Sequence, residues 1–279
     1  TAPGAEKTAK FGGGYPLASP FGVIYGTNIS SDKQFGIGNW TDDEFVRAAR
    51  EGVGKDGQQL YPAMPYDSFT KMKREDVLAI KAYLMSLPAV NSAGPQTDLS
   101  FPFNQRWGMR VWKMFNFDKG ELKNDPSKSV DWNRGAYLVE ALEHCGTCHT
   151  PRTLTMGMDT DKAFSGGDLG SWVAFNITPD KNAGIGNWSQ QDLVTYLKTG
   201  FVAGKASASG AMSEAIEHSL QHLSDDDLNA IATYIRSVPA ISDDKQSKPR
   251  DAWGQQDRDV YPLRAEGQTI DQSAAALRQ

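Results

Sequence analysis

Both cysteines of the chain fall within six residues, His144-Cys145-Gly146-Thr147-Cys148-His149. Two thiols separated by two residues at a helix end can each form a thioether to a vinyl group of one porphyrin. The histidine that follows can then give an imidazole nitrogen to the iron, and C-x-x-C-H is the attachment signature of a c-type haem. A chain with two cysteines uses both on one such group and keeps no free thiol. Other chemistries draw on the same residue types. Zinc would take Cys145, Cys148 and His149 together with a distant His218 or His222. A dithiol redox motif needs a strand-to-helix turn in an alternating strand and helix pattern, which is absent here. A disulfide between residues three apart would be strained and would close almost no loop.

Much of the chain occurs twice. Residues 28–40, NISSDKQFGIGNW, return as residues 176–188, NITPDKNAGIGNW, at a spacing of 148. The same spacing relates Gly52 to Gly200 and Met64 to Met212, each methionine preceded by an alanine. At a spacing of 151, VLAIKAYLMSLPAV from Val77 matches LNAIATYIRSVPAI from Leu228. Two occurrences at so long a period mark a duplicated domain and not a solenoid.

The duplication points to the ligand opposite His149. Met212 lies in a stretch rich in Gly, Ser and Ala, which predicts a loop that drapes a thioether over a ring. Met64 holds the same place in the first copy, within YPAMPY, which a methionine that only fills a core gap need not do. His218 and His222 compete, since four residues apart on a helix they share a face. The first copy has no histidine, so a shared fold cannot require one there, and solvated histidines are expected. Ligation by His and Met raises the potential of a haem, which suits acceptance of electrons from a dehydrogenase. Trp188 and its copy Trp40 are expected to pack beside the ring and keep water away. Asn176 opens a turn that either reaches a haem propionate or is a plain turn. The G-I-G of each copy lacks the third glycine and preceding strand of a dinucleotide site, which excludes nicotinamide. No nucleophile and base stand out as a pair, so the chain is not expected to oxidise an organic substrate itself.

Helices must position these residues. Tyr137, Leu138, Ala141 and Leu142 share one face over residues 134–143, which predicts an amphipathic helix running into Cys145. Ser189 opens another, with Leu193, Val194 and Leu197 inward and Gly200 at its end. Ser224, with Asp227 three positions on, caps a third that stops near Pro239 and buries Ile231, Tyr234 and Ile235. Few segments read as strands, so the class is mainly α. The copies divide the chain into a first domain at 1–92, a linker at 93–130 that packs Trp107, Trp112 and Phe115 between domains, a second domain at 131–242, and a polar linker at 243–279.

Composition narrows the function. A hydrophobic content of 39% with 27 Gly and 14 Pro suggests small, loop-rich domains in a chain of 279 residues. The net charge of -5 gives no basic surface for nucleic acid. No stretch approaches the roughly 20 apolar residues of a membrane span. A leader is missing although haem attachment happens outside the bacterial cytoplasmic membrane, which suggests a processed or truncated chain. Thr1-Ala2-Pro3 resembles Thr150-Pro151-Arg152, so Thr1 stands where the residue after a C-x-x-C-H would stand.

With C-x-x-C-H, NITPDKNAGIGNW, YPAMPY and GAMSEAIEHSLQHLSDDDL together, the chain resembles the cytochrome c subunits of bacterial membrane-bound dehydrogenases. These are the multihaem subunits of alcohol, gluconate, sorbitol, fructose and aldehyde dehydrogenases, and the likeness covers nearly all of residues 1–240. It implies tandem cytochrome c domains, small helical haem-binding bundles with long loops. Cys145, Cys148, His149 and Met212 match the second domain, and Met64 matches the distal ligand of the first. Members carry three such domains, so a first motif would precede Thr1, a third would follow Gln279, and the chain is expected to be the middle of a longer subunit. The resemblance further implies a catalytic dehydrogenase partner of flavin, quinone-cofactor or molybdenum type. It implies ubiquinone as acceptor, and peripheral membrane association on the periplasmic side. A zinc-binding or structural module without redox cycling is the alternative.

Overall fold

The computed structural model describes residues 10–170 and 172–250. The likeness of Thr1-Ala2-Pro3 to the residues after His149, and all but the first eight residues of the 243–279 tail, lie outside the described residues.

The fold is mainly helical, with short strands between the helices. In the first half a hairpin of β1 (Pro16–Ser19) and β2 (Gly22–Tyr25) pairs Pro16 with Tyr25, and β3 (Asp98–Leu99) joins it from beyond the helices. Helix α1 (Asp42–Glu51) starts at a capping box in which the Thr41 hydroxyl accepts from the Glu44 amide and the Glu44 carboxylate accepts from the Thr41 amide. It ends at Gly52, whose φ of 60° suits glycine and whose Cα leaves the Tyr66 ring no room for a Cβ. The short α2 (Tyr66–Phe69) and α3 (Arg74–Ser86) follow, α3 ending just before Pro88.

The second half opens with α5 (Val130–Tyr137), after α4 (Gly108–Asn116) in the connection. Ser129 caps α5 and a π-helical turn at Leu138–Leu142 carries it on, so the helix starts earlier than its periodicity predicts. Then come α6 (Gly146–His149), the hairpin of β4 (Gly167–Asp168) with β5 (Val173–Ala174), and α7 (Gln190–Thr199). The hairpin of β6 (Phe201–Val202) with β7 (Ala206–Ser207), α8 (Ala211–His218) and α9 (Asp225–Ile235) complete it. The expected cap is present on α9, where the Ser224 hydroxyl accepts from the Asp227 amide, and the expected start of α7 at Ser189 proves to be a capping box with Asp192.

Helix α5 lies directly on α9. A Cβ at Gly135 would overlap the Ala230 carbonyl, so only glycine allows the backbones this close. Around the crossing, Arg134 grips Asp227 with Nε and Nη2 donating at 2.7 and 3.0 Å, and Trp132 meets Tyr234 edge to face with centroids 5.0 Å apart. One side of α5 and its π-helical turn buries Leu138 and Val139 in a cluster with Phe164, Ile216, Ile231 and Ile235. Each such side chain contributes about 1.5–3 kcal/mol on burial. The other side faces the first half, where Tyr137 and Ala141 join Val46, Met72 and Val77. Polar contacts secure that seam: Lys71 Nζ donates to Glu140 at 2.5 Å, and the Tyr137 hydroxyl donates to Asp76 at 2.5 Å while accepting from the Lys73 amide at 2.9 Å.

The connection corrects an expectation. Trp112 does turn inward, meeting the Tyr66 ring edge-on and donating Nε1–H to the Thr155 carbonyl at 2.8 Å. Trp107 and Phe115, expected between the domains, are exposed. What docks α4 is Lys113, whose ammonium caps the end of α1 through the Glu51 and Gly52 carbonyls at 2.5 and 2.9 Å. Burial lowers that ammonium to about 8, so it stays charged at neutral pH.

The repeated blocks form the same local structure twice. The Asn28 side chain accepts from the Ser30 amide and hydroxyl and donates to the Val90 carbonyl at 2.6 Å. The Asn176 side chain accepts from the Thr178 amide and hydroxyl and donates to the Ile241 carbonyl at 2.7 Å. Each asparagine thus clamps the chain leaving the last helix of its half. The G-I-G loops fold back so tightly that a Cβ at Gly36 or Gly184 would enter the Ser30 or Thr178 carbonyl, which explains those glycines without a nucleotide.

Candidate haem-attachment site

The attachment motif hangs from the end of the α5 helix. The Glu143 amide closes the π-helical turn on the Leu138 carbonyl at 2.8 Å, the Cys145 amide donates to the Val139 carbonyl at 3.0 Å, and Gly146 through His149 then make the single turn of α6. Both thiols are free. Burial pushes Cys145 up to about 12 and raises Cys148 as well, so neither is the thiolate that a redox dithiol uses.

His149 is fixed by its neighbours. Its Nδ1 lies 2.7 Å from the Phe175 carbonyl oxygen, which can only accept, so Nδ1 carries the proton and Nε2 presents its lone pair. Burial lowers the imidazole pKa and favours this neutral form. A metal-ligating histidine is oriented in this way, through a backbone carbonyl on the other ring nitrogen. The chain beyond is held too. The Gly166 amide donates to the His149 carbonyl at 2.8 Å, and the Phe164 amide donates to Thr150 Oγ1 at 3.1 Å.

Cys145 and Met212 border one apolar cluster, with Ile177, Ile185, Tyr196 and Ala208 around the same rim. Met212 is not in the expected loop: the loop ends at Gly210, φ 55°, and Met212 is the second residue of α8. The ring of Trp172 lies on Gly210 so closely that a Cβ there would overlap it. Trp188 packs edge to face on Tyr196 with centroids 5.6 Å apart, in a neighbouring cluster with Leu193, Val194 and Leu228. The oxygen and amide of Asn176 both serve the clamp. His218 and His222 are exposed, one ending α8 and the other in a 3-10 turn. Among the described residues no three His, Cys, Asp or Glu side chains gather as metal ligands, so the zinc set of Cys145, Cys148, His149 and His218 or His222 is not assembled.

In the first half Met64 is half-buried and, among the described residues, stands outside the cluster of Val46, Met72 and Val77. Two residues on, the Tyr66 hydroxyl is buried without a hydrogen-bond partner among the described residues. Sequence reasoning missed the Phe175 carbonyl, which carries no side-chain signal, and Phe164. Phe164 has a φ of 64°, matched by 64° at Phe11, and each phenylalanine carbonyl accepts from the isoleucine amide of its repeat at 2.9 Å.

Two free thiols and an imidazole with a pinned tautomer make the donor set fit a covalently held haem, the site of a c-type cytochrome. No protein-family model matches the chain. Its sequence is 48% identical over 237 residues to the fructose dehydrogenase cytochrome subunit of Gluconobacter japonicus, covering 84% of this chain and 49% of that protein. It is 42% identical to the gluconate 2-dehydrogenase cytochrome c subunit of Pantoea cypripedii, covering 82% of this chain and 54% of that one. A diheme cytochrome c-type protein of Cereibacter sphaeroides is 38% identical, covering 86% of this chain and 80% of that protein. The chain belongs to a family of c-type cytochromes whose members include cytochrome c subunits of bacterial dehydrogenases. It spans about half the length of the dehydrogenase subunits it matches. Among the described residues no helix is long and apolar enough to cross a membrane.

Proposed function

We propose that the chain is an electron-transfer unit with one haem c on Cys145 and Cys148, held by His149 on one face and Met212 on the other. It receives electrons from a catalytic dehydrogenase subunit of flavin, quinone-cofactor or molybdenum type and passes them toward ubiquinone. The subunit works at the periplasmic side of the cytoplasmic membrane, associated peripherally. The observation that carries this reading is the His149 to Phe175 hydrogen bond, which presents Nε2 from the residue after two free cysteines. Bound there, the haem supplies a one-electron ferric and ferrous couple. Phe175 orients the imidazole, Met212 offers a soft thioether that raises the potential, and Phe164, Ile177 and Ile216 exclude water. Asn176 and Trp188 hold the loop that brings Ile177 and Ile185 to this rim. Holding, tuning and shielding are the tasks of a protein whose cofactor does the chemistry.

The two halves are read as tandem cytochrome c domains, 1–92 and 131–242, with 93–130 between them and Met64 as the distal ligand of a first haem. The uncovered Ile80 and Tyr83 of α3 support a helix like α5, with its own C-x-x-C-H, lying there in a longer subunit. The orphan Tyr66 hydroxyl, two residues from Met64, supports a missing group on that side. A relative named as diheme accords with two sites, and a third haem would belong to a further domain. Ser68 Oγ meets Thr147 Oγ1 at 3.3 Å, and the Phe69 and His144 rings pack edge to face with centroids 5.2 Å apart. The segment after Met64 therefore leans on the attachment turn, which favours electron exchange between the sites.

Protein-film voltammetry of the haem-loaded chain tests the reading. A reversible one-electron wave is expected, moving to lower potential in Met212→Ala and holding its place in His218→Ala. A wave that shifts with His218 and ignores Met212 would overturn the ligand assignment.

A further inference from the structure

Helix α4 is amphipathic and faces the wrong way for a helix on a water-exposed surface. Its polar residues Lys113 and Asn116 turn inward, Lys113 to the end of α1 and Asn116 to the Trp112 carbonyl and the Thr155 hydroxyl. Its apolar residues turn out. Trp107, Met114 and Phe115 are 67%, 79% and 75% exposed, with Val111 beside them. Positions 107, 111, 114 and 115 form one stripe along the helix. Neighbouring segments add to it: Phe101 is exposed just before the helix, and Leu154 projects from the turn that Trp112 holds through Thr155. Scattered exposed apolar residues are ordinary, but a continuous patch marks an interaction site.

The charges indicate what covers it. From Leu99 to Phe117 the chain carries Arg106, Arg110 and Lys113 and no carboxylate, although the protein as a whole has a net charge of -5. Arg110 is exposed beside the stripe, Arg106 stacks on the Tyr61 ring at 4.8 Å, and the first carboxylate, Asp118, lies beyond the helix end. A short surface helix with Trp, Phe and Met on its outer face, and with Arg110 and Arg106 as the cations at its rim while Lys113 is turned inward, suits the headgroup boundary of an anionic bilayer. The interface accommodates aromatic side chains at different heights without a shaped pocket.

We propose that the outer face of α4, extended by Phe101 and Leu154, is the surface by which this chain seats on an anionic phospholipid membrane. This deepens the membrane-associated part of the reading above and rests on it, but does not depend on which residues hold the iron.

The test is co-sedimentation of the haem-loaded 279-residue chain with vesicles of equimolar phosphatidylethanolamine and phosphatidylglycerol, against vesicles of phosphatidylcholine alone. Binding to the anionic vesicles is expected, weakened by salt and falling about tenfold or more in a Trp107→Ser, Met114→Ser, Phe115→Ser variant. A Phe201→Ser control on another exposed phenylalanine should bind as the parent does. In a Met114→Cys chain whose native cysteines carry haem, an environment-sensitive dye on the new thiol should report an apolar surrounding when anionic vesicles are added. Binding that survives the triple change, or a dye that stays in water while the chain binds, overturns the proposal. So does failure to bind by a chain that keeps its haem and its voltammetric wave, which leaves the electron-transfer reading intact. Self-association abolished by the triple change, without vesicle binding, would overturn it in favour of a second copy on this face.

Discussion

Helices α3 and α9 carry matching sequences, VLAIKAYL and LNAIATYI, in two different settings. In α9, Ile231 is 2% exposed and the Tyr234 hydroxyl donates to Glu140 at 2.8 Å. In α3, the matching Ile80 is 44% exposed and Tyr83 60%. The difference is α5, which covers α9 and has no counterpart on α3 among the described residues. A sequence pattern thus specifies a helix with an apolar stripe, but its neighbour decides whether the stripe becomes core. The half that holds the attachment motif is the half whose stripe is covered, because the same α5 helix that closes the core also delivers Cys145, Cys148 and His149.

The largest contrast should come from overfilling the two stripes. Ala230→Leu pushes a side chain into the α5 crossing at Gly135 and should cost about 2–3 kcal/mol in denaturant unfolding of the haem-loaded chain. Ala79→Leu, at the matching exposed position of α3, should stay within about 0.5 kcal/mol. Equal losses would mean that α3 is covered in solution.

The asparagine clamps should instead behave alike. Asn176→Ala and Asn28→Ala each leave buried backbone or hydroxyl groups without a partner and should each cost about 1–3 kcal/mol. A cost at Asn176 alone would show that the first half does not use its clamp. Smallest is the effect of the caps, where Ser189→Ala and Thr41→Ala should each lose about 1 kcal/mol. Thermal unfolding of the two variants side by side checks whether the two boxes contribute alike.

What the sequence makes legible is local. Ser189 with Asp192, Ser224 with Asp227 and the glycine at 200 mark helix ends because the groups that satisfy one another are within a few residues. The Asn176 clamp is invisible in sequence, since its partner is a backbone carbonyl 65 residues away. The Phe175 carbonyl is equally silent, as every residue has one. Periodicity shows that α4 is two-faced but not which face turns inward, and the reach of Lys113 to α1 settles that. Its spacing from Met64 singles out Met212 in the sequence, whereas its place in the first turn of α8 depends on the backbone reversal at Gly210.

Intact-mass spectrometry of the denatured chain, followed by mapping of its peptides, tests the central claim most directly. The account predicts one haem per polypeptide that survives denaturation and stays on the peptide containing Cys145 through His149. An unmodified peptide from a coloured protein, with haem released by denaturation alone, would contradict it.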